Sequence, residues 1–574
     1  MNKSRCDSTT ELPAIQESVT RRSPDIVMRL ERLGSFHQTR LSFMRILTRR
    51  LQKEQWQFQR REFEVDAEGV GYAVYSMGGP LRQYSLIAFS HDLPDAKRSD
   101  RVIAEAWDAT FTLFDGIPTK TDIERLAKQV PLQEAGRLSE KELTLSRANR
   151  SVRLWTHVVD SLASGKQPDP EQLKRVGYLM RTTAVYGSGK FGVVDRQAID
   201  SREEFAEPFQ VEMLSVYLIR AFVRDLVQHM ANIQARKLGD EQAAELDSGL
   251  ARCLGIGNST GLGMAPFLIN HPRLFNNWIM VREEALARVL SLQSSSAESR
   301  ELFLHLLEAT QESLLHWKTE HTVQQKRNSD LCKNLMSLRD HFLAMNHNTT
   351  QPWLQLYRWA MQALGVEAQE CLVSLLLEPY PHHVDGLACC LSDSLEQSTV
   401  DASMSVAKLG AMIELHYSWA LAIDWSESCN TARAWYVSEE KLEPRLGERA
   451  EEPLDAYEQP LAPGRDVASL FALLKNFKDE SSLAPLLLQF PHCRQAVERV
   501  QLLRSCPYAE IRDNTISADL IPYDMLRCKL SFFGATHFDP RSDRWIRICL
   551  YANAPYPEEL LTRDADRWVY AQSG

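Results

Sequence analysis

The sequence predicts a mainly α fold of the α+β class, with a large helical body, a small N-terminal antiparallel β-sheet and a C-terminal β-hairpin. Three observations carry this prediction. Apolar residues recur at helical spacing through most of residues 120–435. Residues 63–114 change to a period of two with many aromatic side chains. Residues 529–552 hold two apolar runs around a polar turn. The N-terminal and C-terminal β regions either join in one sheet or pack separately on the helical body.

Composition indicates an ordinary globular chain of several domains. The 574 residues are 44% hydrophobic and 25% charged, and the net charge of −10 is mild for this length. The polar N-terminus contains no signal peptide, and no apolar run is long enough to span a bilayer. Eleven cysteines without a C-x-x-C spacing are typical of reduced thiols. These features predict a soluble, cytoplasmic protein without a membrane partner, and they disfavour nucleic acid as a ligand.

Changes in these patterns divide the chain into four predicted segments. Residues 1–22 are polar and are predicted to be disordered, and residues 23–118 hold a helix followed by the antiparallel sheet. Residues 119–345 form a helical domain with two glycine-rich loops. Residues 346–574 form a second helical domain, with an acidic surface loop at 437–465 and the C-terminal hairpin.

The N-terminal part of the chain is basic, with thirteen Lys and Arg against six Asp and Glu in residues 1–61. Within it, Ser23-Pro24-Asp25 predicts a helix start, because it supplies an N-cap, a proline in the first turn and an acidic side chain near the positive end of the helix. One interpretation is a basic arm that binds an acidic partner or nucleic acid. The other is a helix face that covers an acidic part of the same protein.

The segment least like ordinary sequence is the glycine-rich run 255–263. Its glycines permit tight turns or close backbone approach. Asn258, Ser259 and Thr260 are good helix N-cap residues, and apolar residues follow, so the run predicts a tight loop that opens a buried helix. The unpaired N–H groups at such a helix start would attract an anion. The alternative is a turn in which the glycines allow close packing.

A second glycine-rich loop, residues 187–192, matches the pattern G-x-G-x-x-G. Neither the long helix of a dinucleotide-binding unit nor the later motifs of a protein kinase follow it, and Lys190 is not followed by Ser or Thr as in a P-loop. Arg181, Ser188 and Lys190, with the loop amides, are candidates for holding a phosphate or carboxylate in another way. A structural turn with a solvated lysine is the alternative.

Weaker indications come from other polar groups. His91 lies with Asp92, Arg98 and Arg101 in a loop between predicted strands, where they would either bind an acid or pair with each other. Residues 146–153 place three arginines at a predicted helix start.

Histidine spacings complete the search for catalytic or metal sites. Asp225 and His229 are four residues apart in a predicted helix. They are either a catalytic or metal-binding pair or an ordinary surface pair. His382, His383 and Asp385 form the best of several poor metal patterns. The sequence therefore predicts no metal site.

These observations predict a cytoplasmic enzyme that acts on a small anionic metabolite, bearing a phosphate or carboxylate, bound at the loops 187–192 and 255–263. The candidate ligand-binding residues are Arg181, Ser188, Lys190, Asn258, Ser259 and Thr260. Tyr186 and His271 are the candidates for proton transfer. Reaction type, cofactor and oligomeric state are not assigned. The alternative is a non-catalytic helical interaction or regulatory protein that uses the basic arm and the acidic loop.

Overall fold

A computed structural model gives the structure of the chain, with 55% helix and 13% strand. The residues described are 20–94, 106–133, 138–182, 192–193, 199, 202–261, 271–315, 322–391, 399–427, 430, 435–438, 444–446, 458–460, 462–514, 527–535, 537–540, 545–562 and 566–570. The helices are α1 (Pro24–Val27), α2 (Phe43–Lys53), α3 (Lys120–Gln129), α4 (Trp155–Ala163), α5 (Pro170–Val176), α6 (Gln210–Leu238), α7 (Ser248–Cys253), α8 (Pro272–Leu290), α9 (Ala297–Leu315), α10 (Thr322–Ala344), α11 (Pro352–Ala363), α12 (Val366–Leu377), α13 (Pro381–Val384), α14 (Val406–His416), α15 (Ser418–Leu421), α16 (Pro463–Leu474), α17 (Ala484–Gln489) and α18 (Arg494–Leu502).

One large curled sheet, shaped like half a barrel, organises the N-terminal half of the protein. Within the described ranges it has ten strands, in the order β1-β2-β3-β4-β5-β6-β8-β13-β12, with β7 paired to β5. The strands are β1 (Gln57–Val65), β2 (Gly71–Gly78), β3 (Gln83–Ser90), β4 (Ala109–Asp115), β5 (Glu142–Arg150), β6 (Tyr178–Thr182), β7 (Gly192–Val193), β8 (Gly255–Gly261), β12 (His537–Pro540) and β13 (Trp545–Leu550). The sheet is mixed, because β6 and β8 are parallel while the other pairs are antiparallel.

The prediction of a small N-terminal antiparallel sheet was therefore wrong. Its strands are present as β1 to β4, but the sheet continues through β5, β6 and β8, which lie in the part of the chain predicted to be helical. The C-terminal hairpin does form, as β12 and β13, and β13 joins it to the same sheet by pairing with β8. The π-helical turn Lys529–Phe533 replaces the beginning of the predicted hairpin.

The reason for this error lies in burial. Strand β6 buries the consecutive residues Tyr178, Leu179 and Met180, so both of its faces are covered. A strand buried on both sides has no alternation of apolar and polar residues, and its sequence looks like that of a buried helix. Three arginines in residues 146–153 reinforced the helical prediction, but most of that run belongs to β5.

The helix α6 fills the concave side of the curled sheet. Every residue from Gln210 to Val223 is buried, and the helix contacts strands from β2 to β8. The ring of Phe222 lies edge-on to those of Tyr75 and Phe111, with centroids 6.4 and 5.6 Å apart. The C-terminal segment covers the helix from another side, since the Tyr217 hydroxyl donates to the carbonyl oxygen of Pro555 at 2.9 Å. A 29-residue helix thus serves as the core of the sheet rather than as a surface helix.

The basic N-terminal residues pair with acidic residues of the helical body. Arg22 donates hydrogen bonds to Glu283 and Glu370 at 2.7 Å, and all three side chains are at least nine-tenths buried. In a second cluster, Arg45 donates to both oxygens of Glu378 at 2.6 and 2.8 Å. These contacts favour the interpretation in which the basic segment covers an acidic part of the same chain.

A second hydrophobic core lies in residues 404–509 and includes buried residues of α14, α16 and α18. Within residues 437–465, which were predicted to form an acidic loop, the structure describes three short strands. These are β9 (Trp435–Ser438), β10 (Pro444–Leu446) and β11 (Glu458–Pro460), which pair antiparallel in the order β10-β9-β11. Most of the described residues of this segment are therefore extended and paired, and helix α16 begins at Pro463.

Candidate anion-binding site

Several of the predicted ligand residues lie on two neighbouring strands. Arg181 is in β6, and Asn258, Ser259 and Thr260 are in β8, where Arg181 is the partner of Gly257. Tyr186, Ser188 and Lys190 lie outside the described residues. His271 directly precedes α8, and its carbonyl oxygen accepts the N–H of Phe275 at 3.0 Å. The sheet thus brings Arg181 next to the run 258–260, while the structure places His271 at a helix start.

The run 255–261 is a strand, not the predicted loop that opens a helix. Its glycines serve close packing. A Cβ atom on Gly257 would lie 2.6 Å from the ring of Tyr178, and one on Gly255 would overlap the carbonyl oxygen of Leu550. A side chain does not fit at either glycine position, because β8 packs closely between β6 and β13. The helix-dipole argument for anion binding at this run therefore no longer applies.

Asn258 lies beside Arg181 in the sheet but projects from the other face. Successive residues of a strand alternate between faces, and Arg181 is opposite Gly257. The Asn258 side chain is buried, and its amide donates to the carbonyl oxygen of Thr182 at 3.4 Å. Its partner on β13 is the core residue Ile548. Asn258 is accordingly a core amide rather than a neighbour of the Arg181 guanidinium.

Arginines from β5 and β6 gather around Arg181. Asn149 is directly opposite Arg181 in the antiparallel pair, so both side chains project from one face. Arg147, two residues before Asn149, projects from that face as well. Arg150 ends β5 next to Asn149, so its side chain projects from the opposite face, and Arg153 lies in the turn that follows. We call Arg147 and Arg181, which share a face, the arginine patch.

Tryptophan rings lie against two of the arginines of β5. The guanidinium carbon of Arg147 lies 3.8 Å from the centre of the Trp107 ring, and that of Arg150 lies 4.8 Å from the Trp155 ring. Such contacts stabilise a cation by roughly 0.5–2 kcal/mol each and hold the guanidinium flat against the ring.

Polar contacts hold the two arginines at the end of β5. Arg153 donates to the Tyr178 hydroxyl at 3.4 Å. The Asp108 carboxylate accepts the backbone N–H of Arg150 at 2.9 Å and lies 3.7 Å from its Nε. The patch itself places the guanidinium-bearing residues Arg147 and Arg181 on one face of neighbouring strands, and guanidinium groups bind oxyanions in a bidentate way.

A histidine and a threonine border the patch. Thr110 of β4 is directly opposite Arg147, and its hydroxyl oxygen lies 2.9 Å from Nε2 of His91. Burial lowers the pKa of His91, although the nearby Asp108 carboxylate acts in the opposite direction. His91 is therefore a neutral imidazole at neutral pH, at the edge of a cationic surface.

The other sequence candidates have structural roles. Asp225 accepts from Arg60 at 3.0 Å and from the Tyr75 hydroxyl at 2.9 Å, whereas His229 lies 3.0 Å from the carbonyl oxygen of Asp66. Asp385 accepts two hydrogen bonds from Arg40. Among the side chains that the structure describes, no group of three or more His, Cys, Asp or Glu is placed to hold a metal ion.

Sequence reasoning found Arg181 and His91 but missed how they are related. The three arginines of residues 146–153 were seen, but a helix was predicted for them, which turns their side chains to different neighbours. The alternation of Leu143 and Leu145 with Thr144 and Ser146 was the signal for a strand, and it was too short to outweigh the helical pattern. Trp107 and Asn149 carried no signal of their own.

Comparison of the chain with protein-family models, curated proteins and solved structures gives no match. Among the described helices, none combines the length and the apolar character needed to cross a membrane.

Proposed function

We propose that the protein binds a small metabolite carrying a phosphate or carboxylate at the arginine patch and acts on it as an enzyme. The observation that carries this proposal is the placement of Arg147 and Arg181 on one face of the neighbouring strands β5 and β6. Guanidinium groups match the planar geometry of oxyanions, and the stacking of Arg147 on Trp107 reduces the conformational entropy lost on binding. This arrangement favours a ligand site over a solvated surface, where arginines would lie apart.

Two further features support an enzyme rather than a passive binding protein. His91 is a neutral imidazole beside the patch, and a positioned imidazole is the group most often used for proton transfer. Residues 183–191, which carry Tyr186, Ser188 and Lys190, leave β6 at Thr182, whose partner on β5 is Ala148, next to Arg147. Their participation in the site stays a prediction from the sequence.

A cytoplasmic location is part of this proposal. All nine cysteines that the structure describes are free thiols, and five of them are buried. Reduced thiols are the usual state in the cytosol, whereas secreted proteins use cysteines in disulfides. Cell fractionation with a thiol-trapping reagent tests the location, and recovery of the protein with disulfides from an oxidising compartment would refute it.

A thermal-shift experiment with purified protein tests anion binding. Inorganic phosphate, pyrophosphate and succinate serve as probes, because a ligand that binds the native state raises the melting temperature by mass action. We expect at least one probe to raise the melting temperature of the natural protein, and Arg147→Gln and Arg181→Gln to reduce the shift. Arg339→Gln is the matched control, since Arg339 of α10 pairs with Glu308 of α9 on the protein surface. Equal shifts in all four proteins, or none with any probe, would refute an anion site at the patch.

A further inference from the structure

A histidine–threonine pair beside the arginine patch can change the number of hydrogen-bond donors that the site offers. His91 follows β3, and its backbone N–H donates to the carbonyl oxygen of Asp108 at 2.9 Å. Its Nε2 lies 2.9 Å from the hydroxyl oxygen of Thr110. Thr110 is opposite Arg147 on the neighbouring strand, where the Cβ atoms of facing residues are about 5 Å apart. The Thr110 hydroxyl thus contacts the imidazole, and Thr110 faces Arg147 of the patch across the strand pair.

The direction of the His91–Thr110 hydrogen bond depends on the imidazole proton. A hydroxyl has one proton and two lone pairs, and a neutral imidazole has one nitrogen that only accepts. With Nε2 as that acceptor, Thr110 donates its proton to His91. Protonated imidazole has donors on both nitrogens, so Nε2–H would donate to Thr110 and the hydroxyl proton would be free to turn towards Arg147.

We propose that His91 and Thr110 are a proton-dependent part of the anion site, in which protonation of His91 directs the Thr110 hydroxyl to the bound oxyanion and strengthens its binding. The inference rests on the proposed anion site, and it also states which protonation state of the ligand that site prefers. A fully deprotonated oxyanion, such as sulfate or the dianion of a phosphate monoester, accepts both the guanidinium protons and the hydroxyl proton. Protonated His91 also adds a positive charge next to the patch.

The groups around His91 set the pH range of this response. Asp108 is the carboxylate whose charge favours protonation, and burial opposes it and prevails, so the pKa of His91 is lowered from 6.5. Asp92 is next in the chain and exposed, and Arg147 lies beyond Thr110. A group with a lowered pKa takes up its proton only in acidic solution. Anion affinity should therefore rise as the pH falls below about 6.5.

Sulfate is the appropriate probe, because its charge does not change in this pH range. Its affinity is measured by isothermal titration calorimetry from about pH 7.5 to about pH 5, with potassium chloride holding the ionic strength constant so that screening stays equal. We expect the affinity of the natural protein to rise on the order of tenfold, the effect of one added charge-assisted hydrogen bond. In His91→Gln the ratio of the two affinities should fall to about one, and in Thr110→Val it should fall to the smaller value that the added charge of His91 produces alone.

His341→Gln is the matched control. Burial also lowers the pKa of His341, but that ring stacks on Trp359 in α11 at 3.7 Å, away from the sheet. It should keep the full pH response. Sulfate that binds with the same affinity at both pH values, or a response that persists in His91→Gln, would overturn the role of His91 and leave the anion site intact. If sulfate fails to bind at every pH, and no probe separates Arg181→Gln from the natural protein, both proposals fall.

Discussion

Replacing Glu370 with glutamine should destabilise the protein by several kcal/mol at neutral pH. Glu370 of α12 is almost completely buried and accepts hydrogen bonds from Arg22 at 2.7 and 3.1 Å and from Arg32 at 2.9 Å. Arg282 lies 3.9 Å away. Glutamine has nearly the same shape but no charge, so the variant would leave the buried arginines with too little negative charge.

The pKa of Glu370 gives the magnitude and the pH range. Burial alone would raise this pKa, but the charge of Arg22, followed by those of the other arginines and their hydrogen bonds, lowers it from 4.5 to about 2. The lowering of the Glu370 pKa from 4.5 to about 2 corresponds to about 3 kcal/mol of folding free energy. Because the folded-state pKa is the lower one, this stabilisation is complete above pH 4.5 and is lost as the pH falls towards 2.

Equilibrium urea unfolding at stepped pH measures this contribution. We expect Glu370→Gln to lose about 3 kcal/mol at pH 7, and the difference from the natural protein to shrink below pH 4.5. Glu308→Gln is the control, because Glu308 also pairs with an arginine but is 45% exposed, and exposed pairs contribute at most about 1 kcal/mol. Equal stabilities of the two variants, or a difference that stays constant down to pH 2, would refute the reasoning.

Three further predictions concern the core and the thiols. Phe222→Ala, which removes a ring from the middle of the curled sheet, should cost about 3–5 kcal/mol in urea unfolding, and a cost below about 1 kcal/mol would contradict the central place of α6. Gly257→Ala should lower the melting temperature, because the new methyl group meets the Tyr178 ring, whereas Gly386→Ala, with open space around it, should not. Site-resolved alkylation should modify the exposed Cys389 and Cys390 before the buried Cys528 and Cys549, whose pKa values burial raises to about 12, and equal rates would contradict their burial.

Local signals predicted the elements whose structure is decided locally. Ser23 caps α1 as its sequence indicates, accepting the N–H of Asp25 at 3.1 Å. The amphipathic run 209–236 is the helix Gln210–Leu238. The pairing of β13 with β8 could not be predicted, because it joins the middle of the chain to a segment near its C-terminal end and leaves no pattern in either segment.

The candidate site was only partly predicted, because its residues are brought together by pairing between distant segments. Arg181 was selected for its place before a glycine-rich loop, but its neighbours Arg147 and Asn149 depend on strand register, which a sequence pattern does not give. Asn258 was selected as a helix cap, and the structure makes it a buried strand residue on the opposite face from Arg181. Residue types indicated an anion site, but only the sheet shows which cations meet.

Strand β13 is synthesised long after its partner β8, and this order has a consequence for folding on the ribosome. Strand β8 pairs with β6 on one side, and its other edge stays open until residues 545–550 have left the exit tunnel. At about 5–20 residues per second, the nascent chain carries this open edge for on the order of tens of seconds. Open strand edges recruit strands from other molecules, so a nascent or truncated chain is exposed to aggregation at β8. Chaperones that hold unfinished chains would protect this edge until β13 covers it.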